Sequence, residues 1–328
     1  MRCYRIRFSD LAVVDERGRK SKVKFPEAMT VAQLFKKHGN LKMIRDGDFL
    51  MGGFCKGRSI GKRIGILPDG TKLNKAFPLF ASKLAIHDEK SHGHWDVIFE
   101  NPSGSLCYIY SLDKMKISKD KKFKLVDDFE KCLPRLRRNL MKALGTSELV
   151  LAMLVLLKTK MRVGSEVYYK RSRHKGLTTL KKKDIQISGK KVRFSFIGKD
   201  GVPQVIEEIF GERVVSELKR VLGKRKMDDF VFLNSKGRPF GDVEFEAGFE
   251  RFCGERFYPH IVRSHFATRE VEKFLAKKNK GNVGVFCLGL AEKLGHKKIV
   301  KGEWENSSDV TLHYYVRPDL VERVRKLI

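Results

Sequence analysis

The hydrophobic period of this chain changes near residue 120, and that change limits what it can fold into. Before it, apolar residues alternate over short runs (Tyr4, Ile6, Phe8; Trp95, Val97, Phe99; Leu106, Tyr108, Tyr110), separated by glycine- and proline-bearing turns such as GGFCKGRSIGKRIGILPDGTK. Alternation places one side of an extended chain in a core, so residues 1–117 are expected to form a small β-rich domain with one helix near residues 31–38. The stretch SKDKKFK, residues 118–124, is polar and basic and is expected to be a linker. Beyond it Leu125, Phe129, Leu133, Leu136, Leu140 and Leu144 recur every three or four residues, the stripe of a helix bent by Pro134 and ended by Gly145. Ser147 can cap a following helix whose run over residues 149–157 is apolar all round, which implies burial at the centre of a second domain, residues 125–328.

That second domain continues with DIQIS, VRFSFIG and PQVIEEIF, joined by turns at Gly189-Lys190 and Lys199-Asp200-Gly201, a small antiparallel sheet. Residues 212–222, 243–252, 263–277 and 287–294 read as helices, with a short one after Pro318. The expected fold class is α+β, a β-rich first domain followed by a mostly helical one carrying a small sheet.

Lys and Arg number 69 against 39 Asp and Glu, a formal charge of +30. Repulsion on that scale implies a polyanionic partner, and nucleic acid leads because each Lys or Arg meeting a phosphate releases condensed counterions. The longest apolar run, nine residues, is far short of the roughly 20 that a membrane helix needs, so no membrane partner is expected. MRCYRIRFSD lacks a signal-peptide core, so the protein is not expected to be secreted. It should act in the cytoplasm or nucleoid, or in the nucleus or a viral replication site of a eukaryotic or viral source. The six cysteines are accordingly expected in a reducing compartment; none forms a CxxC pair.

Five features of the second domain fit phosphodiester chemistry. Arg162 follows the buried helix in KMRVGSE, presenting a planar fork suited to phosphate oxygens. Lys199 sits at a hairpin tip in FIGKDGV, Arg263 heads a helix in HIVRSHFAT beside His260, His296 follows Gly295 in KLGHKK, and HYYVRPDL offers Tyr314 and Tyr315. RVGSE, GLTTLKKKDI, FIGKDG, the upstream FEKCLPRLRRNL, LGH and the tyrosine-valine-x-proline ending together resemble type IB DNA topoisomerases of the compact poxvirus and bacterial kind, over roughly residues 105–328. The resemblance implies a catalytic set of Arg162, Lys199, Arg263, His296 and a tyrosine, with a 3′-phosphotyrosyl intermediate and neither metal nor nucleotide cofactor. Tyr315, followed by Val316, Arg317 and Pro318, fits the family pattern; counting from Thr311 as in recombinases gives Tyr314 instead.

Two further readings remain. His260-Ile-Val-Arg263 looks like the HxxR box of tyrosine recombinases, and KKIVKGEWENSSDVTLHY between His296 and the tyrosine is longer than the spacer usual in compact topoisomerases. A catalytically inactive basic DNA-binding protein is the third. Taken singly, each of these residues has an ordinary explanation: a solvated cation, a histidine at a helix end, a core tyrosine. Lys56, Arg58, Lys62 and Arg63 in the first domain, with Lys181, Lys182 and His260 in the second, are expected to contact DNA, and a monomer is expected to close around the duplex. His87, His92 and His94 with Asp88 and Glu89 lack a fourth metal ligand at a familiar spacing, and GGFCKGRSIGK is not a nucleotide phosphate loop.

Overall fold

A computed structural model describes residues 3–87, 96–277 and 281–327. Asp88, Glu89, His92, His94 and Trp95, named above, lie outside the described residues. The chain divides into two compact units after Lys121.

The first unit is β-rich. Its four-stranded sheet runs in the order Val13–Asp15, Cys3–Ile6, Gly53–Cys55, Arg58–Ile60, and a three-stranded one joins Leu106–Ile109, Val97–Glu100 and Ser82–Ile86. Helix α1 (Pro26–Lys37) has proline in its first turn and buries Ala28, Val31, Ala32 and Phe35, one face at helical spacing, within a cluster holding Ile6, Phe77 and Val97. Cys3 and Cys55 oppose each other across neighbouring strands and are joined by a disulfide; the other four cysteines are free.

The division between the units falls within the expected linker, but that linker is helical rather than irregular. Residues 118–124 lie inside helix α2 (Leu112–Ala143), which also runs through Pro134. The reason is visible in its buried side, Phe123, Val126, Phe129, Leu133, Leu136 and Leu140: the apolar stripe begins at Phe123, and the lysines before it are good helix formers on the solvated side.

In the second unit α3 (Glu148–Thr159) is capped by Ser147, whose hydroxyl accepts from the Val150 amide, and is buried nearly all round. The strands Ile185–Ser188, Lys191–Ile197 and Pro203–Ile209 pair antiparallel in sequence order, burying Val192, Phe194 and Phe196 on one face. Around them lie α4 (Glu166–Ser172), α5 (Glu212–Gly223), α6 (Asp242–Cys253), α7 (Ile261–Ala276) and α8 (Val283–Lys293). Phe129, Phe249 and Phe257 meet edge to face at the centre of this core. The long segment after His296 forms a hairpin, Lys297–Val300 with Glu303–Asn306, then α9 (Ser308–Tyr315); α10 (Pro318–Arg325) ends the chain.

Candidate active site

Arg162 is placed by a backbone clasp. Lys160, in the left-handed conformation, ends α3, and the chain then runs beside the GLTT turn: the Leu177 amide donates to the Arg162 carbonyl and the Thr178 amide to that of Val163, both at 2.8 Å. The approach is so close that a Cβ on Gly176 would stand 2.6 Å from the Arg162 oxygen and 2.6 Å from the Cα of Gly164, itself at φ +93°. The motif glycines of RVGSE and GLTTL therefore serve one contact, which fixes where Arg162 emerges.

Lys199 stands exposed in the turn between the second and third strands, where Asp200 takes a φ of +62°. Arg162, Lys199 and Arg263 line one small cleft with Lys160, Lys175 and Lys293. Arg263, in the first turn of α7, is 2% exposed. Its guanidinium donates to the carbonyls of Lys160 (2.5 Å) and Leu294 (2.7 Å) and to Nε2 of His296 (3.1 Å), while its Nε has no protein partner. Burial, then the charge of Arg162, pulls its pKa down to about 10, which leaves it a cation at neutral pH.

His296 is buried, and its Nδ1 lies 2.7 Å from Oγ1 of Thr311. Burial first, then Arg263, Arg162 and His260, lower its pKa to about 3. A neutral ring whose Nε2 accepts from Arg263 must carry its proton on Nδ1, so His296 donates to Thr311.

Tyr315 closes the arrangement. It is 6% exposed, its hydroxyl is 2.7 Å from Nε2 of His260, and its ring faces the His296 ring at 4.8 Å and the Arg263 guanidinium at 5.3 Å. Its carbonyl accepts from the Thr268 hydroxyl at 3.2 Å. Tyr314 points elsewhere: it is 47% exposed and packs edge to face on His313. Burial and the field of Arg263, Arg162, Lys122 and Lys199 lower His260 to about 3. His260 thus stands neutral against the tyrosine hydroxyl. Among the described residues Arg162, Lys199 and Arg263 have no ion-pair partner. The centre is therefore strongly positive, with a buried tyrosine hydroxyl beside it.

Of the sequence candidates, Arg162, Lys199, Arg263, His296 and Tyr315 belong to this neighbourhood, and His260, expected as a DNA contact and as the histidine of an HxxR-like box, touches the tyrosine directly. Lys181 and Lys182 are engaged internally, the first with Asp228 at 3.2 Å and the second with the Arg225 carbonyl at 3.0 Å. In the first unit Lys56, Arg58, Lys62 and Arg63 are exposed on and beside a hairpin; Lys62 pairs with Asp46 at 2.7 Å. Sequence reasoning used Thr311 only as a point to count from, without its bond to His296, and missed Thr268 and Lys122, whose ammonium lies 5.4 Å from the Tyr315 ring. Single hydroxyls and one lysine among many carry no pattern that could have marked them.

Comparison with solved structures gives a XerH site-specific recombinase bound to difH substrate, in a pre-cleavage complex, at 19% identity over 60% of this chain and 52% of that one, with a TM-score of 0.39. XerA recombinase matches at 18% identity over 59% of this chain and 61% of that one, with a TM-score of 0.36. The chain thus spans about half the length of the XerH protein it matches. A comparison with curated protein sequences gives no match. The family described as eukaryotic DNA topoisomerase I, catalytic core, matches residues 113–281, just over half of the chain and the part that carries Arg162, Lys199, His260 and Arg263. By that match the chain belongs to the family of the eukaryotic DNA topoisomerase I catalytic core.

Proposed function

We propose that this protein is a type IB DNA topoisomerase that relaxes supercoiled duplex DNA by cutting and rejoining one strand. The observation that carries the reading is the buried Tyr315 hydroxyl, bonded to a neutral His260 beside cations that have no carboxylate partner among the described residues.

A backbone phosphate entering this centre meets Arg162, Arg263 and Lys199 as counter-charges. The Tyr315 oxygen attacks phosphorus while its proton passes to Nε2 of His260, which burial keeps unprotonated and so able to accept it. Arg162 and Arg263 stabilise the added charge on the non-bridging oxygens of the pentacoordinate transition state. His296 accepts from Arg263 and, by doing so, orients it. The bond from phosphorus to the 5′-oxygen breaks as Lys199 gives that oxygen a proton, leaving a 3′-phosphotyrosyl link and a 5′-hydroxyl. Reversal of these steps reseals the strand, since a phosphodiester has been exchanged for a phosphodiester and no external energy is consumed. The exposed Lys56, Arg58 and Arg63 of the first unit supply contacts to the phosphate backbone that position a duplex without reading its bases.

The test is incubation of the full chain with supercoiled plasmid in EDTA, with denaturant trapping of covalent adduct. The expected result is relaxation in small linking-number steps, lost with its adduct in Tyr315→Phe and kept in Tyr314→Phe. Adduct with recombinant products and no relaxation would make the protein a strand-exchanging recombinase, the reading suggested by the HxxR-like box of His260 and Arg263. Neither adduct nor relaxation would leave a non-catalytic DNA-binding protein.

A further inference from the structure

We infer that Lys122 and Arg317 are positioning residues for Tyr315, tying the tyrosine segment to helix α2 immediately before and immediately after the nucleophile. The inference rests on the reading of Tyr315 as that nucleophile.

Tyr315 occupies a mechanically weak place. It is the last residue of the eight-residue α9, Val316 is already extended, and Pro318 begins α10, so the tyrosine sits at a joint between two short helices. The last carbonyls of a helix have no partner within it, and such ends fray unless something outside takes them. Here the Tyr314 carbonyl accepts from the Lys122 ammonium, which also stands over the Tyr315 ring. Thr268 takes the Tyr315 carbonyl.

On the far side of the joint Arg317 donates to both oxygens of Asp127, at 3.2 and 3.5 Å, and to Glu272. Arg269 shares both carboxylates, at 3.1 Å to Asp127 and 2.5 Å to Glu272, so Asp127 on α2 and Glu272 on α7 are themselves fixed. Lys122 and Asp127 both belong to α2, little more than one helical turn apart. The tyrosine backbone is thus gripped at residues 314 and 317 by one rigid element that also contributes Phe123, Val126 and Phe129 to the core. Neither grip is apolar packing: one is an ammonium on a backbone carbonyl, the other a guanidinium on carboxylates.

Such grips matter most for cleavage. Before attack, only non-covalent contacts hold the tyrosine oxygen in line with phosphorus, and a misplacement of about 1 Å costs on the order of 100-fold. Once the phosphotyrosyl bond exists, that bond holds the residue, and the reverse step depends on placing the 5′-hydroxyl.

The experiment uses the full chain and a nicked duplex that releases the cut fragment. It measures duplex affinity, the single-turnover cleavage rate at saturating protein, and resealing of isolated adduct by an added 5′-hydroxyl strand. Lys122→Met and Arg317→Met should each slow cleavage by on the order of 10- to 100-fold. Affinity and resealing should stay within about three-fold, since neither change touches the covalent step. Lys122→Arg and Arg317→Lys should recover most of the rate, which a general loss of folding would not allow. Wild-type cleavage in both Met variants, or equal slowing of cleavage and resealing, overturns the inference alone. A wild-type chain that forms no adduct on Tyr315 overturns it together with the nucleophile assignment.

Discussion

Acidification tests the electrostatics of the centre, because two imidazoles are buried neutral in it. His260 and His296 are both held at about 3, first by burial and then by neighbouring cations, whereas in an unfolded chain they return to about 6.5. A folded value below the unfolded one means that the unfolded chain binds more protons between those two pH values. Stability from these groups is therefore fully present above about pH 6.5 and is lost as pH falls toward 3. Between pH 7 and pH 5 each histidine costs about 2 kcal/mol, and because the folded values lie well below 5 their depth drops out of the result. The pair amounts to about 4 kcal/mol, a large share of the 5–15 kcal/mol typical of a folded protein. Urea unfolding at both pH values, followed by Trp304 fluorescence in a Trp95→Phe background, measures it. The parent should lose about 4 kcal/mol more than His260→Asn/His296→Asn, which lacks both rings but keeps every other titrating group. An equal loss in the two proteins would refute the claim that these rings are neutral in the fold, and with it the role of His260 as proton acceptor.

Two further outcomes follow from the geometry. Lys199→Ala should slow cleavage by roughly 10²–10⁴, with much of the rate restored when the leaving 5′-oxygen is replaced by sulfur, and Arg162→Ala should show no such rescue; equal rescue in single-turnover assays would take the acid role from Lys199. Gly176→Ala puts a methyl 2.6 Å from the Arg162 carbonyl, so it should lower stability by about 1–3 kcal/mol and impair cleavage as Arg162 shifts, and an unchanged melting curve would show that the clasp yields freely.

The fold was legible where one face of an element is apolar. The stripe from Phe129 to Leu140 and the all-round apolar α3 need those helices whatever surrounds them, and the alternation in VRFSFIG needs a half-buried strand. Legibility failed at residues 118–124 because a helix with a solvated side shows its period only over several turns. Seven residues containing one buried phenylalanine read as loop until Phe123 is joined to Val126 and Phe129. The segment after His296 failed for another reason. Its hairpin is short and mostly exposed, with Ile299 paired to Trp304, so few apolar positions mark the pairing.

For the site, sequence order carried residue types but not partners. Arg162, Lys199, Arg263, His296 and Tyr315 stand out by their flanking motifs, yet the motifs do not say that Gly164 and Gly176 exist for each other, nor that the Lys160 carbonyl is spent on Arg263. His260 shows the difference most clearly. Three residues before Arg263 it reads as a DNA contact or as the histidine of an HxxR-like box, and the turn of backbone leading into α7 converts that spacing into a ring 2.7 Å from the tyrosine hydroxyl. The same position gives it a depressed pKa, because the cations that attract a phosphate also repel a proton from the imidazole. Anion affinity and a neutral base are then one electrostatic fact. Removing the charge of Arg162 or Lys199 should weaken phosphate binding and at the same time raise the pKa of His260, so the two effects must move together.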